Sequence, residues 1–328
     1  MRTDELFAKM EKLSKYSSED ASIVVVGSIG RREVTESSDV DWTLLIDGPS
    51  DPSHAQAVTD IRADLESLDL EKPGRTETFG VMAFSHELVH YIAGAHDTNE
   101  NLTRRILLLI ESRAVTQPLV RERVIRNILE RYIAHDIVVP RSIPPSHALP
   151  HFLMNDVVRY WRTVASDYAA KMWERNREGW GLRNIKLRFS RKLIFVAGLL
   201  ACYSFEIDPP DDAATIRGDR DRLTTTLTTS VARRLEMTPL ESLASVLAHY
   251  GDDDLARKIF GAYDRFLGIL LDPGKRMELK ELRIEGALHS KVWEEAHNAS
   301  HDFRNGLEEL FLKTDGVLRE LTIRFGVF

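Results

Sequence analysis

The chain has 328 residues, a length that suits two domains or one core with a large appendage. Hydrophobic residues make up 43% and charged residues 29%, and the net charge of −7 excludes a generic nucleic-acid-binding protein, whose surface is basic. The single cysteine, an N-terminus without an apolar signal core and the lack of an apolar run near ~18 residues argue against a disulfide scaffold and a membrane span, so we expect a cytoplasmic protein.

The first 115 residues predict alternating strands and helices. The predicted elements are, in chain order, a helix over 3–16, a strand over 22–26, a short helix over 28–34, a strand over 40–46, a helix over 54–68 and a strand over 76–84. One crossover helix between neighbouring strands is typical of a small mixed sheet.

From about residue 99 the chain predicts helices only. These helices are expected over 102–110, 120–133, 152–175, 182–203 and from 223 to the C-terminus, with breaks at Pro239, Gly251 and Pro273. The proline-rich stretch 138–150 predicts a loop. The predicted fold class is therefore α+β, with an N-terminal domain over 1–115 and an all-helical domain over 116–328.

Two aspartates at the start of the second strand are the first candidate site residues. Asp39 and Asp41 are two residues apart, so on a strand their side chains share one face while Val40 points into a core. Paired carboxylates suit Mg²⁺ or Mn²⁺, which are held by one or two carboxylates plus substrate phosphates.

The preceding strand ends at Gly27-Ser28, a tight turn whose backbone N–H groups can face an anion at a helix N-terminus. Gly-Ser alone is often only a turn, and Asp-x-Asp alone is often a solvated strand edge or a helix cap. The prediction of a joint phosphate and metal site depends on both halves occurring together.

The string from Gly27 to Asp41, GSIGRREVTESSDVD, resembles the nucleotidyltransferase superfamily typified by DNA polymerase beta. It looks closest to the branch of the PII uridylyltransferases and the glutamine-synthetase adenylyltransferases. Members of that branch place Gly-Arg and Glu between the two halves, which correspond here to Gly30, Arg31 and Glu33. The resemblance covers the first 115 residues well and the rest only loosely. It implies that the N-terminal domain is a catalytic nucleotidyltransferase fold, a small mixed sheet with flanking helices.

The resemblance also implies an activity and a role for each site residue. A nucleoside monophosphate would move from an NTP to an acceptor hydroxyl, with release of pyrophosphate and with Mg²⁺ or Mn²⁺ as cofactor. Asp39, Asp41 and a third carboxylate would hold the metal, and this third carboxylate would accept the proton of the attacking hydroxyl. Glu77 is the candidate for it, the alternative being an exposed residue at the strand edge. Asp97 is the runner-up, although we expect it rather to cap the following helix. The residues implied to position the phosphates are Gly27, Ser28 and Arg31.

The segment 181–192 carries five cations and no acidic residue, which is unusual in an acidic chain. The resemblance favours Lys186 and Lys192 as contacts of the nucleotide triphosphate. The alternatives are an ordinary solvated helix face, or ion pairs with Asp156 and Asp167 of the preceding helix.

The sequence thus predicts a metal-dependent nucleotidyltransferase with an NTP substrate. A protein acceptor is favoured over tRNA by the protein-modifying relatives and by the acidic net charge. One alternative is a synthase of nucleotide second messengers or a tRNA-end nucleotidyltransferase. Another is a nucleotide-binding regulatory or antitoxin-like module without turnover.

Overall fold

The structure, a computed structural model, describes residues 3–35, 38–67, 78–136, 146–174, 177–314 and 316–326. The chain divides into two compact units. Unit 1 comprises Met1–Asp156 and Asp212–Thr238, and unit 2 comprises Val157–Asp211 and Pro239–Phe328. This division does not coincide with the predicted boundary after residue 115, because several helices beyond that point belong to the same unit as the sheet.

The α-helices of the described chain are α1 (Thr3–Met10), α2 (Gly27–Gly30), α3 (Pro52–Ser67), α4 (Ser85–His90), α5 (Asn99–Ile110), α6 (Pro118–Asp136), α7 (His151–Glu174), α8 (Trp180–Lys186), α9 (Lys192–Cys202), α10 (Ser204–Ile207), α11 (Ala213–Gly218), α12 (Arg220–Leu235), α13 (Pro239–Tyr250), α14 (Asp253–Leu271), α15 (Pro273–Glu281), α16 (Lys291–Glu308) and α17 (Val317–Leu321). Segments of 3-10 helix cover Glu11–Tyr16 and Ile284–His289, and π-helical segments cover Leu187–Arg191, Glu309–Lys313 and Thr322–Gly326. Helix breaks were expected at Pro239, Gly251 and Pro273, and all three occur.

In the described residues one sheet of four strands forms in unit 1, made of β1 (Ala21–Val25), β2 (Trp42–Ile46), β3 (Val81–Phe84) and β4 (Arg113–Ala114). The strand order is β3-β2-β1-β4. β1 runs antiparallel to β2 and β4, whereas β2 and β3 are parallel. The expected α+β class and small mixed sheet are therefore confirmed. The sequence did not predict β4, which has only two residues and no strand-like alternation.

Along residues 39–44, which lead into β2, buried apolar side chains alternate with half-buried polar ones. Val40, Trp42 and Leu44 are at most 1% exposed and pack in one apolar cluster with β1, α1 and α3. Asp39 and Asp41 occupy the intervening positions and are only half-buried. Because successive side chains of an extended chain point to opposite faces, the two carboxylates lie on the face away from this cluster.

Unit 2 is built from helices around an aromatic centre. Phe189, of the π segment, stacks on Phe266 of α14 with ring centroids 4.5 Å apart and on Phe303 of α16 at 5.2 Å. The three rings are at most 1% exposed. This contact joins α14, α16 and the π segment into one core. In the part of the chain that the structure describes, no helix has both the length and the apolar character to cross a bilayer.

Candidate metal and phosphate site

The end of β1 and the start of β2 are brought together by strand pairing. Val25 lies opposite Trp42 in the antiparallel register, and the Val26 N–H donates to the Asp41 carbonyl oxygen at 2.9 Å. The turn that follows Val26 therefore begins directly beside Asp41. This register places the two halves of the sequence motif next to each other.

Gly27 has a backbone φ of +71°, a conformation that glycine adopts far more easily than residues with a Cβ. A Cβ on Gly27 would lie 3.3 Å from Asp41 Oδ2. The Asp41 carboxylate thus reaches over the turn, and the missing side chain at position 27 leaves room for it. A cation bound at Asp41 would lie close to an anion held at this turn.

Ser28 supplies the polar groups of the turn. Its main-chain N–H and its hydroxyl have no hydrogen-bond partner among the described residues, and the residue is half-buried. The Gly27 N–H, by contrast, donates to Glu111 Oε1 at 3.0 Å. An anion at this turn would therefore contact Ser28 rather than the N–H of Gly27.

Glu111, directly after α5, is hydrogen-bonded to the turn at Gly27 and to Arg31. Its side chain is fully buried and accepts hydrogen bonds from the Gly27 N–H and from Arg31 Nη1. A Cβ on Gly30 would lie 1.8 Å from the Glu111 carbonyl oxygen, so α2 can pack this closely only because residue 30 is glycine. Sequence reasoning missed Glu111. Its one local signal is a carboxylate that directly follows the apolar run 106–110.

Arg31 belongs to the same hydrogen-bonded group as Glu111. Its side chain is 8% exposed, Nε donates to Glu33 Oε2 at 2.8 Å, and Nη1 donates to Glu111. Both carboxylates are buried with it, so the cation is compensated within the fold. These contacts give Arg31 a positioning role, and its predicted contact with phosphate stays a prediction.

Glu77, predicted as the third carboxylate, lies outside the described residues. β3 begins at Val81 and pairs with β2, and the Gly80 N–H donates to the Trp42 carbonyl oxygen at 2.7 Å. Among the described residues, no three His, Cys, Asp or Glu side chains form a group that could hold a metal ion. Asp39 and Asp41 nevertheless fit a hard divalent cation as a pair, because they are half-buried carboxylates on one face beside a turn with open polar groups.

Asp97, the runner-up, does not fit the metal site. Its carboxylate is 1% exposed and accepts two hydrogen bonds from Arg105, at 3.0 and 2.9 Å. Arg105 also donates to Asp156 Oδ2 at 2.9 Å and to the Tyr132 hydroxyl at 2.7 Å. Burial lowers the pKa of Arg105, but Asp97, Tyr132 and Asp156 together raise it above its ordinary value. Asp97 is thus one half of a buried ion pair.

The expectation that Asp97 caps α5 was also wrong. Thr98 occupies the N-cap, and its hydroxyl accepts from the Asn101 N–H at 3.1 Å. Asp97 instead bonds the Asn101 side chain at 3.2 Å and Arg105 one turn further on. Because Arg105 binds the Asp97 carboxylate in an ion pair, this carboxylate does not cap α5.

Lys186 and Lys192 belong to unit 2, at the end of α8 and the start of α9, with the π segment between them. Burial lowers the pKa of Lys192, and the nearby cations Arg304 and Arg188 lower it further. Of the expected alternative partners, Asp167 pairs with Lys171 at 2.6 Å and Asp156 bonds Arg105. A contact of either lysine with a nucleotide stays a prediction.

Comparisons with protein-family models, with curated proteins and with solved structures found no match to this chain.

Proposed function

We propose that this protein is a nucleotidyltransferase that moves a nucleoside monophosphate from an NTP to an acceptor hydroxyl and releases pyrophosphate. The observation that carries the proposal is the meeting of Gly27 and Asp41, where a Cβ on the glycine would lie 3.3 Å from the carboxylate. Phosphate and metal functions must be adjacent in such a reaction, and here their candidate residues are adjacent. The resemblance of residues 27–41 to the polymerase-beta-like superfamily points the same way.

Asp39 and Asp41 would hold Mg²⁺ or Mn²⁺, which supplies charge neutralisation at the transferred phosphoryl group and at the leaving pyrophosphate. Ser28 would bind the β- and γ-phosphates through its N–H and hydroxyl, and Gly27 would provide the turn geometry. Glu111 and Arg31 would hold that turn in place. Glu77 is proposed as the third carboxylate and as the base.

The acceptor oxygen forms a bond to the α-phosphorus, and the bond from that phosphorus to the α–β bridging oxygen breaks. Pyrophosphate leaves with the electron pair of the broken bond, and the hydroxyl proton passes to the base. We propose a protein hydroxyl as acceptor, because the motif is most similar to protein-modifying relatives and the net charge of −7 disfavours a nucleic acid.

The test is incubation of the purified full chain with each α-labelled NTP, with Mn²⁺ or Mg²⁺ and with candidate acceptors, followed by mass spectrometry. Label on protein supports the proposal. A small labelled product indicates a second-messenger synthase, and label on tRNA indicates a tRNA-end enzyme. If no NTP yields any product, the enzyme proposal fails in favour of a nucleotide-binding module.

Asp39→Asn and Asp41→Asn should each reduce transfer by about 100-fold or more, because a neutral amide holds a divalent cation poorly. Their melting temperatures should stay near the wild-type value, since removing one of two like charges relieves repulsion. Asp60→Asn is the matched control, because Asp60 lies on α3 in the same unit and bonds Gln56. Wild-type transfer by both site variants would remove the two aspartates from the site.

A further inference from the structure

Two rows of polar side chains face each other in unit 2. One row follows α8, the π segment and α9, and the other lies along one face of α16. The members are Asn184, Arg188 and Lys192 on the first row and His297, Ser300, His301 and Arg304 on the second. Arg188 joins the rows, since Nη1 lies 3.5 Å from Ser300 Oγ.

Arg188 is held by neutral partners. Its Nε donates to Asn184 Oδ1 at 2.6 Å, and the Asn184 amide donates to the Tyr168 hydroxyl at 3.0 Å. Ser300 Oγ donates to the His297 carbonyl oxygen at 2.7 Å and accepts from Arg188. The guanidinium is thus oriented by oxygens that do not neutralise its charge.

Neither Arg188 nor Lys192 has a carboxylate within ion-pair distance in the described part of the chain. Arg304 lies 3.4 Å from Glu308, which is 48% exposed and is also the one acidic group that raises the pKa of Lys192. Three other cations of this unit do have a carboxylate partner: Lys258 pairs with Glu309, Arg265 with Asp302 and Lys275 with Glu295. The cluster therefore holds three cations against one exposed carboxylate.

Two of these cations, Lys192 and Arg188, are partly withdrawn from water, whereas Arg304 is exposed. Burial lowers the pKa of Lys192 and of Arg188, and Arg304 lowers both further. Burial, Arg188 and His301 lower the pKa of His297, which disfavours a further positive charge beside the cluster. Grouping of half-buried like charges costs free energy unless an anion compensates it.

The π segment Leu187–Arg191 is a second, independent sign of a site. A π turn inserts one extra residue into a helix, and such turns frequently occur at functional sites. Here it carries Arg188 at the point where α16 packs against it.

We propose that Arg188, Lys192 and Arg304 form a binding site for the phosphoryl group of a small molecule, contained within unit 2. A guanidinium fork matches phosphate oxygens, and an ammonium adds a second charge-assisted contact. A phosphoryl group with two negative charges balances the excess of the cluster. The site does not depend on the function proposed for Asp39 and Asp41.

The experiment is isothermal titration calorimetry of the full chain with inorganic pyrophosphate, in EDTA so that no divalent metal takes part. Wild-type protein should bind, and Arg188→Gln and Lys192→Gln should each weaken binding by about 10- to 100-fold. Lys258→Gln removes the same charge from the same unit at a paired position and should leave the affinity unchanged. Absence of binding by the wild-type protein, or wild-type affinity in both Arg188→Gln and Lys192→Gln, overturns the site.

Two further titrations, one with ATP and one with a variant of unit 1, show which kind of molecule carries the phosphoryl group and which unit binds it. ATP binding with the same loss in Lys192→Gln assigns the site to nucleotide phosphates, whereas binding of pyrophosphate but not ATP assigns it to another phosphorylated molecule. The Asp39→Asn/Asp41→Asn variant should retain metal-free pyrophosphate binding, and its loss there would place the anion in unit 1 and overturn the proposal. If Arg188→Gln does not fold, Arg304→Gln takes its place, since Arg304 is 46% exposed.

Discussion

A side chain at position 27 would be unfavourable for two separate reasons, the backbone conformation and the closeness of Asp41. Its φ is +71°, and a Cβ at this position would lie 3.3 Å from Asp41 Oδ2, so close that the carboxylate would have to shift by a few tenths of an ångström. The first constraint concerns the backbone alone. The second concerns the geometry of the candidate site, so a suitable pair of variants separates them.

Gly27→Ala should lower the free energy of unfolding by about 1 kcal/mol through backbone strain and should also abolish transfer, because the new methyl group displaces Asp41. The matched control is Gly179→Ala, where φ is +68° but the nearest atoms are ordinary contacts at 3.7 Å. That variant should show the same strain and full transfer. Urea unfolding and the transfer assay measure both; an active Gly27→Ala protein would contradict the site geometry.

Glu111 bonds both the Gly27 N–H and the Arg31 guanidinium, so its charge should stabilise the turn. Glu111→Gln should remove one of the buried carboxylates that pair with the buried Arg31, and we expect a loss of about 3 kcal/mol in the free energy of unfolding. Glu100→Gln is the control, since Glu100 is 50% exposed and pairs with Arg104 one turn away. Its cost should be about 0.5 kcal/mol or less. Equal costs in urea unfolding would argue against an ionic support for the turn.

At the scale of elements, the start of α5 depends on side chains from elsewhere. Asp, Thr and Asn at 97–99 are all good N-caps, so local preference leaves the choice open. Arg105 engages Asp97, and Thr98 is then the residue whose hydroxyl reaches the Asn101 N–H.

Thr98→Ala should therefore destabilise unit 1 by about 1 kcal/mol, the usual cost of losing an N-cap. Asn99→Ala should be neutral or slightly stabilising, because Asn99 is the first helical residue and alanine has the higher helix propensity. Thermal unfolding of the two variants compares them directly. A larger loss in Asn99→Ala than in Thr98→Ala would contradict the assignment of Thr98 as the N-cap.

At the scale of the whole molecule, the question is whether unit 2 takes part in nucleotide binding. Lys186→Ala should weaken NTP binding more than NMP binding if this lysine contacts the triphosphate, and the loss should be larger at low salt. Lys275→Ala is the control, since Lys275 pairs with Glu295 at 2.8 Å in the same unit. Calorimetry with both ligands gives the affinity ratio. A ratio that does not change in Lys186→Ala would remove this lysine from the nucleotide site.

The sequence by itself determined the order and type of the main elements, the α+β class, and the candidate pair of Asp39 and Asp41. These depend on hydrophobic period and turn chemistry, which act over a few neighbouring residues. β4 could not be predicted in this way, because a strand of two residues is too short to show a hydrophobic alternation.

Only the tertiary structure decided which distant residues meet. Glu111 reaches Gly27 across 84 residues, and Asp156 joins Arg105 across 51. The β1–β2 register placed Asp41 over the turn, and packing drew Asp97 away from a helix cap into an ion pair. Such pairings are chosen by burial, because a charge withdrawn from water must find its partner wherever the fold brings one close.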